Sequence, residues 1–543
     1  MTFLKSVTSY VGFFIPSIIS FLFIGLSKDL FMRADFIQNV LSALLIIILI
    51  NFIINSKLKH IITILALFFI HLFVLTELVH HYLYRSQFST SSIFILIETN
   101  PVEAREYLST YLDFKLLLVC AVFVLNYLIS IFLFKRREKQ NSQNSWLNHS
   151  IKIYSKQLTI SSLILSIIFI MSISYEKLRP FSLLNNLLNG YATYKQDQAN
   201  YKKFSYESEG GQFTNFLSNS SNDSTEVYVL IIGESTTRSH LSLYDYYRKT
   251  NPLLGKLKNE LIIYQDVISP HAHTIPSLNK MLTFADYSNL DAKFDGTVIQ
   301  MFNKAKFKTY WLSNQRPSGI YDTFVTGIAK SSDERYFINT SNYVTPFDGE
   351  ILKILKNKLD EDVNKKFIVI HLFGTHGIYS KRYPKAFNIF HKNPQTKFNH
   401  ENAYNFINAF DNANLYNDYV ISEIIKEVKG TNSKSFVLYL SDHGEEVFET
   451  RNSEGHTDLI ASKPMLDIPF VLWQSEIYKK TETQHVYEEK RSYNSEDLIF
   501  TIADLAGITF DEFEPTKSIV NAQFEFKKRV IIDTVDYDKR FKK

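Results

Sequence analysis

Carboxylates and histidines stand just past the ends of several apolar runs in this chain. Glu234 follows VYVLIIG in the stretch Val227–Arg238, and Asp442 and His443 follow Phe436–Leu440 in SDHGEE. His371 and His376 fall in HLFGTHG at the end of Phe367–Phe373, and His456 sits in EGHTD. Asp, Glu and His are the side chains that hold a divalent ion such as zinc. A carboxylate after a strand is ordinarily a solvated loop residue, and any one of 15 histidines is ordinary. What points to a metal site is that all of them follow runs that read as buried strands. In an open α/β sheet, ligands collect at the carboxyl ends of the strands.

A nucleophile is legible nearby. In SPHAHTIPSLNKMLTF, Thr274 precedes Ile275-Pro276-Ser277, and proline in the first turn marks a helix start. Capping alone would account for a Thr there, at about 1 kcal/mol. The same geometry, however, sets a hydroxyl beside exposed N–H groups and a positive helix end, which favour an anion such as a phosphoryl group. A free Thr hydroxyl is a weak nucleophile, and direct contact with a metal would activate it.

The elements that must position these groups follow from pattern. Strands are expected at Val227–Ile232, Leu261–Ile268, Phe307–Leu312, Phe367–Phe373, Phe436–Leu440, Ile468–Trp473 and Val530–Asp533. Helices are expected between them, at Gly296–Ala305, Glu350–Leu359, Asn402–Val428 and Glu496–Leu505. The alternation predicts a mostly parallel sheet with helices on both faces, in an α/β domain over 226–543. Residues 176–225 read as a membrane-surface helix and a linker, the linker being the Ser-, Asn- and Gly-rich stretch Ser208–Thr225.

The first third differs in kind. Apolar segments near 8–26, 36–54, 61–79, 114–134 and 157–174 are each about the ~20 residues that cross a bilayer. They predict a five-helix transmembrane domain over 1–175, its first segment an uncleaved anchor. Lys5, Lys57, Lys59, Lys135, Arg136, Arg137, Lys139, Lys152 and Lys156 fall on one side, so the N-terminus is expected inside. The loop 80–113 and everything after about residue 175 then lie outside. That loop carries SSIFILIETNPVEAREYLSTY, which reads by pattern as an interfacial helix.

Composition excludes some functions. A net charge of +4 from 59 basic and 55 acidic residues makes no case for nucleic acid. The single cysteine, Cys120, permits neither an intramolecular disulfide nor a Cys-based zinc site.

GESTTRSHLSLYDYYRKTNP, the Thr274 segment, IHLFGTHGIYSKRYP, DNANLYNDYV and LSDHGEE, in this order, resemble the phosphoethanolamine transferases of Gram-negative bacteria. That family belongs to the alkaline phosphatase and sulfatase superfamily, and the resemblance spans nearly the whole chain. It implies that Glu234, Thr274, Asp442 and His443 bind Zn2+ and that Thr274 is the nucleophile. His376 and His456 would meet the substrate phosphate or a second zinc, and His371 would be a further active-site histidine. Thr99 and Glu103, in ETNPVE, would be polar residues of a loop helix that meets lipid.

The implied reaction moves phosphoethanolamine from phosphatidylethanolamine to lipopolysaccharide, on lipid A or a core sugar. It passes through phospho-Thr274 and releases diacylglycerol at the outer face of the bacterial inner membrane, in the periplasm. The expected consequence is weaker binding of cationic peptides such as polymyxin. Two departures are visible. The lipid A-directed branch carries disulfides that this chain cannot form, and the GESTTR and DNANLYNDYV wording of this chain is nearer the core-modifying branch. Asn314 and Gln315 also follow the Trp311 strand where a substrate-contacting Lys would be expected, and Asn314 is taken as a substrate-side candidate. The rivals are a phosphoglycerol transferase of the same superfamily, which uses phosphatidylglycerol, and a non-catalytic membrane scaffold. The absence of a Cys-x-Pro-x-Arg or Ser-x-Pro-x-Arg motif argues against a sulfatase proper.

Overall fold

The computed structural model describes residues 10–23, 30–53, 56–84, 88, 92–93, 104–105, 108, 111–141, 183–203, 210–219, 225–316, 324–340 and 344–541. Thr99, Glu103 and the apolar segment 157–174 lie outside these residues. The chain divides into a unit of residues 1–97 and 108–195 and a unit of residues 98–107 and 196–543.

The first unit is helical. It contains α1 (Ile15–Phe23), α2 (Leu30–Asn51), α3 (Ser56–Tyr84), α4 (Phe114–Asn141) and most of α5 (Leu183–Lys203). Among the described residues, two spans are long and apolar enough to cross a membrane, Lys57–Leu83 and Phe114–Arg136. Val11–Phe23 and Phe36–Ile50 are shorter apolar helices. Phe13, Ala43, Leu67, Val74, Val119 and Phe123 form the buried centre of this unit. Its outer surface is no less apolar: Leu125 is 58% exposed and Phe132 62% exposed. A water-facing helix would put charge there, whereas a lipid-facing one need not. Polar side chains join helices inside. Asn39 on α2 donates to Glu77 on α3 at 2.6 Å, and Asn126 on α4 lies 3.2 Å from His71 on α3.

The second unit is built on a seven-stranded sheet. Its strands are β1 (Glu226–Gly233), β2 (Leu261–Ile263), β3 (Lys308–Ser313), β4 (Glu334–Phe337), β5 (Lys365–His371), β6 (Lys434–Ser441) and β7 (Phe470–Gln474). Their spatial order is β2-β7-β6-β1-β5-β3-β4. The sheet is mixed: neighbours from β6 to β4 pair in parallel, and β7 pairs antiparallel with both β6 and β2. Every residue of β1 is buried, as its unbroken apolar run requires of a central parallel strand.

Alternation along β1 divides the core in two. Tyr228, Leu230 and Ile232 pack on one side with α6 (Thr274–Met281), α7 (Val298–Lys304), α8 (Phe324–Lys330) and α11 (Leu498–Leu505). Val227, Val229 and Ile231 pack on the other with α9 (Ile351–Leu359) and α10 (Glu401–Gly430). Helices therefore cover both faces. α7 starts where sequence chemistry says it should: Thr297 and Gln300 form a reciprocal capping box.

Four expectations differ from what folds. Leu261–Ile268 is two short strands: β2 joins the main sheet, and Asp266–Ile268 pairs with Ser492–Asn494 instead. Val530–Ile531 belongs to a separate hairpin with Val535–Asp536. Glu334–Phe337, an edge strand too polar to stand out as a buried run, completes the sheet. The supposed linker is partly built in. Phe213 is 3% exposed, packed against Phe216, Phe284 and Phe510, and Leu217–Ser218 pairs with Ile508–Thr509. Its Ser and Asn content hid two anchoring aromatics.

DNANLYNDYV turns out to hold chain rather than substrate. Asp411 on α10 accepts from Tyr246 Oη at 2.9 Å and Arg248 at 2.7 Å, and pairs with His240 Nδ1 at 2.8 Å. Asp418 accepts from the backbone N–H groups of Leu253 and Leu254 at 2.8 and 2.9 Å. Together they pin the segment after Glu234 to α10.

The turn after β5 approaches β1 still more closely. Gly374 has φ +54°, and a Cβ there would sit 2.8 Å from both the N and O of Glu234. Backbone cannot yield as a side-chain tip can. Gly374→Ala is expected to lose about 1–3 kcal/mol of stability, read by denaturant unfolding. Wild-type stability in that variant would contradict the close approach.

Candidate metal centre and nucleophile

Glu234, Asp442 and His443 leave the C-terminal ends of adjacent strands β1 and β6, and Thr274 opens α6. The parallel register sets Gly233 opposite Ser441, so the residues that follow emerge side by side. Each of Glu234, Asp442 and His443 offers a ligand atom within 4.8 Å of the others, and all three are buried. Thr274 Oγ1 donates at 3.2 Å toward each Glu234 oxygen and lies 3.4 Å from His443 Nε2. His443 Nε2 is 3.4 Å from both Glu234 Oε1 and Asp442 Oδ2.

Backbone geometry fixes each ligand. Ser235 holds φ +56°, rare for a side chain with a Cβ. That conformation lets its N–H reach Asp442 Oδ1 at 3.0 Å while its hydroxyl donates to Glu234 Oε1 at 2.9 Å. The His443 N–H also donates to Asp442 Oδ1, at 2.7 Å. Asp442 Oδ2 is buried with no hydrogen-bond partner among the described residues. A buried, orphaned carboxylate oxygen is costly unless something positive occupies its front. His443 Nδ1 donates to the Gly444 carbonyl at 2.8 Å, which leaves Nε2 with its lone pair toward the cluster. These residues fit a zinc ion: two carboxylates, one imidazole in the right tautomer and one hydroxyl.

The electrostatics show the same demand for positive charge, met without a metal by a proton on His443 Nε2 that a bound zinc would displace. Burial opposes a charged imidazole, yet Asp442 and Glu234 outweigh it and push His443 up to about 10. Burial and the Glu234 charge drive Asp442 up to about 8. Burial also pushes Glu234 upward, but His443 prevails and holds it well below the usual carboxylate range. The cluster therefore draws in positive charge at the point where His443 Nε2 meets the carboxylates.

The other expected residues surround this group. His371 ends β5, its Nε2 buried without a partner among the described residues, and burial lowers it to about 4 against the pull of Glu234. His376 lies just beyond Gly374, with Nδ1 buried and likewise without a partner among the described residues. His456 pairs through Nδ1 with Glu445 Oε2 at 2.6 Å, and its ring stands 4.2 Å from that of His443. Burial drives His456 well below its ordinary value. Asn314 spends its amide on the Pro346 carbonyl at 2.9 Å and on Asp348 at 2.8 Å, which places it in the support of the β5 turn.

Sequence reasoning missed several neighbours. Gln315, next to Asn314, donates to Glu234 Oε2 at 3.2 Å and to the Leu372 carbonyl at 3.1 Å. Glu445 orients His456 and accepts from Tyr379 Oη at 2.5 Å; burial raises its carboxyl to about 8. His443, Glu445 and His456 form a second group able to hold a metal. Asp458 joins His271 Nδ1 at 2.9 Å and the Ala272 N–H at 2.7 Å, tying the His456 loop to the Thr274 loop. The doubled glutamate of SDHGEE was the available signal for Glu445; Gln315 was marked only by its place beside Asn314, where a Lys would be expected.

Comparison with known proteins agrees with this architecture. A model of the family described as Sulfatase matches residues 226–508. Phosphoethanolamine transferase EptC of Escherichia coli K12 is 32% identical over 496 residues, covering 84% of each chain. The zinc complex of the C-terminal periplasmic domain of EptC from Escherichia coli superposes with TM-score 0.58 at 34% identity. That match covers 60% of this chain and 96% of that one. The integral membrane lipooligosaccharide phosphoethanolamine transferase EptA of Neisseria meningitidis shares the fold at TM-score 0.67 and 19% identity. It covers 95% of this chain and 97% of that one. The chain is a transferase that belongs to the phosphoethanolamine transferase family of the alkaline phosphatase and sulfatase superfamily.

Proposed function

We propose that this protein transfers phosphoethanolamine from phosphatidylethanolamine to lipopolysaccharide through a covalent intermediate on Thr274, releasing diacylglycerol. The observation that carries the reading is the place of Thr274 Oγ1, within 3.2 Å of Glu234 and 3.4 Å of His443 at a helix start. The named activity of the relatives supports the group transferred.

Glu234, Thr274, Asp442 and His443 would hold the zinc. Bound there, zinc supplies a lowered hydroxyl pKa and a positive charge against the phosphoryl oxygens. Glu234 is placed to take the hydroxyl proton of Thr274. Thr274 Oγ1 attacks phosphorus, its O–P bond forming as the bond to the diacylglycerol oxygen breaks, and the leaving oxygen takes up the proton that Thr274 released. An acceptor oxygen on lipid A or a core sugar then attacks phosphorus and displaces Thr274, whose oxygen recovers a proton from the acceptor. His376 and His456 flank the cluster and serve the phosphate or a second zinc, with Glu445 holding the ring of His456. His371 and Asn314 lie behind them.

The membrane reading supports the same chemistry. Both lipids are insoluble, and an anchor confines the search to the membrane plane, which raises effective concentration. We read 1–175 as five crossings with the N-terminus inside and 226–543 as a periplasmic catalytic domain. On this reading Thr99 and Glu103, on the outer loop 80–113, contact the donor lipid.

Four outcomes test it. Thr274→Ala in the full-length protein is expected to lower diacylglycerol release from headgroup-labelled phosphatidylethanolamine on the order of 10,000-fold. Full turnover would remove Thr274 from the mechanism. Chelation should abolish turnover and zinc should restore it. Ser235→Ala, which loosens Glu234, should weaken zinc affinity roughly 10–100-fold, measured by competition with a chelating dye. Mass spectra of lipopolysaccharide from cells with and without the gene should differ by phosphoethanolamine; a phosphoglycerol difference would replace the donor with phosphatidylglycerol.

A further inference from the structure

His273 stands immediately before Thr274 and is absent from the roles assigned so far. Its backbone is extended, with φ −145° and ψ 144°, so it closes the loop and stays outside α6. Its carbonyl accepts the N–H of Ser277 at 3.2 Å, but its side chain makes no capping bond. The residue is only 9% exposed, and Nε2 is buried without a hydrogen-bond partner among the described residues. An enclosed polar atom left unpaired costs about 1–3 kcal/mol. A phenyl ring could fill the space without that cost.

The surroundings show what the nitrogen is placed to meet. The His273 ring is 5.3 Å from that of His456, and His456 is 4.2 Å from His443. Three imidazoles thus run in series beside the nucleophile. Burial keeps His273 neutral, driving it down to about 3. A neutral imidazole offers one N–H and one lone pair.

The helix start itself is short of donors. An α-helix opens with four N–H groups free of intrahelical partners. In α6 the third residue is Pro276, which has none, and the Ser277 N–H is already given to His273. The N–H groups of Thr274 and Ile275, with the His273 backbone N–H before them, remain for an anion seated on the Thr274 hydroxyl. A phosphoryl group there, with several charged oxygens, gains from a further side-chain donor on this side.

We propose that His273 donates its Nε2–H to a non-bridging oxygen of the phosphoryl group carried by Thr274, and is a further catalytic residue of the transfer. The inference rests on the phosphoryl-transfer reading above. It requires no proton transfer by His273, only a hydrogen bond that strengthens as negative charge gathers on the phosphoryl oxygens.

Glutamine and asparagine separate the two ring nitrogens, because a Gln amide nitrogen falls near Nε2 and an Asn amide nitrogen near Nδ1. Full-length protein in phosphatidylethanolamine nanodiscs is assayed for the diacylglycerol burst, kcat, KM and zinc content. His273→Ala and His273→Asn are expected to lower kcat about 100-fold, the loss typical of one such donor, with zinc content and KM near wild type. His273→Gln should recover at least tenfold over His273→Asn. Wild-type kcat in His273→Ala overturns the proposal, as does equal activity of the Gln and Asn variants. Loss of zinc from His273→Ala also overturns it, by making the residue a support of the metal centre. A wild-type enzyme that releases no diacylglycerol defeats the phosphoryl-transfer reading instead, so the two failures are distinguishable.

Discussion

Two carboxylates buried side by side repel, and the second unit is arranged to keep them so. Glu234 and Asp442 present oxygens within 4.8 Å of one another. At the effective dielectric of a protein interior their repulsion is roughly 3–4 kcal/mol. They stay because neither can swing away. Asp442 Oδ1 is held by two backbone N–H groups, and Glu234 is gripped by Ser235 on one oxygen and Gln315 on the other. Such a pair holds only with positive charge beside it, and the Oδ2 of Asp442, without a hydrogen-bond partner among the described residues, faces the point where a metal would supply it. The sheet provides the rigidity. β1 and β6 pair along their full lengths, so neither carboxylate can retreat without breaking ladder bonds.

The support for this pair extends outward by close approaches. Gly374 lets the turn after β5 lie against the backbone of Glu234, and Thr375 Oγ1 donates to the carbonyls of Glu234 and Ser235 at 3.0 and 2.8 Å. Asp348 holds that turn from behind, accepting from the N–H groups of Phe373 and Gly374 at 2.8 and 2.9 Å and from Asn314. Asn314, a strand-end residue by position, thus acts through the backbone two layers from the cluster. DNANLYNDYV is similar. It is distinctive in sequence, but Asp411, Asn412 and Asp418 are occupied with chain segments.

How much could be read from sequence depended on the range of the cause. Strands buried on both faces announce themselves as apolar runs, so β1, β3, β5 and β6, and the ligands after them, were legible. Thr274 was legible because Pro276 writes a helix start into the local sequence. β4 was not, since ERYF carries charge and owes its place to pairing with β3. Gln315 and Glu445 were not legible as site residues, because their roles exist only when distant loops meet. The Ser- and Asn-rich stretch before β1 shows the reverse error. Composition described its surface, while Phe213 decided where it packed.

The position of Thr274 explains why a helix as short as α6 suffices. A nucleophile at this position would need a fixed hydroxyl, and eight residues anchored by buried Leu278 and Met281 fix that of Thr274. A longer helix would add a stronger dipole but no further donor at the start, since only the first turn has free N–H groups. The loop before it is held instead by His271, bonded to Asp458 and to Asp533 through its two nitrogens, with Lys280 beside them. Asp458 follows His456 by two residues, and His271 precedes Thr274 by three. One ion network therefore ties the Thr274 loop to the His456 loop. A change there would alter the spacing of Thr274 and His456 without touching Glu234, Asp442 or His443.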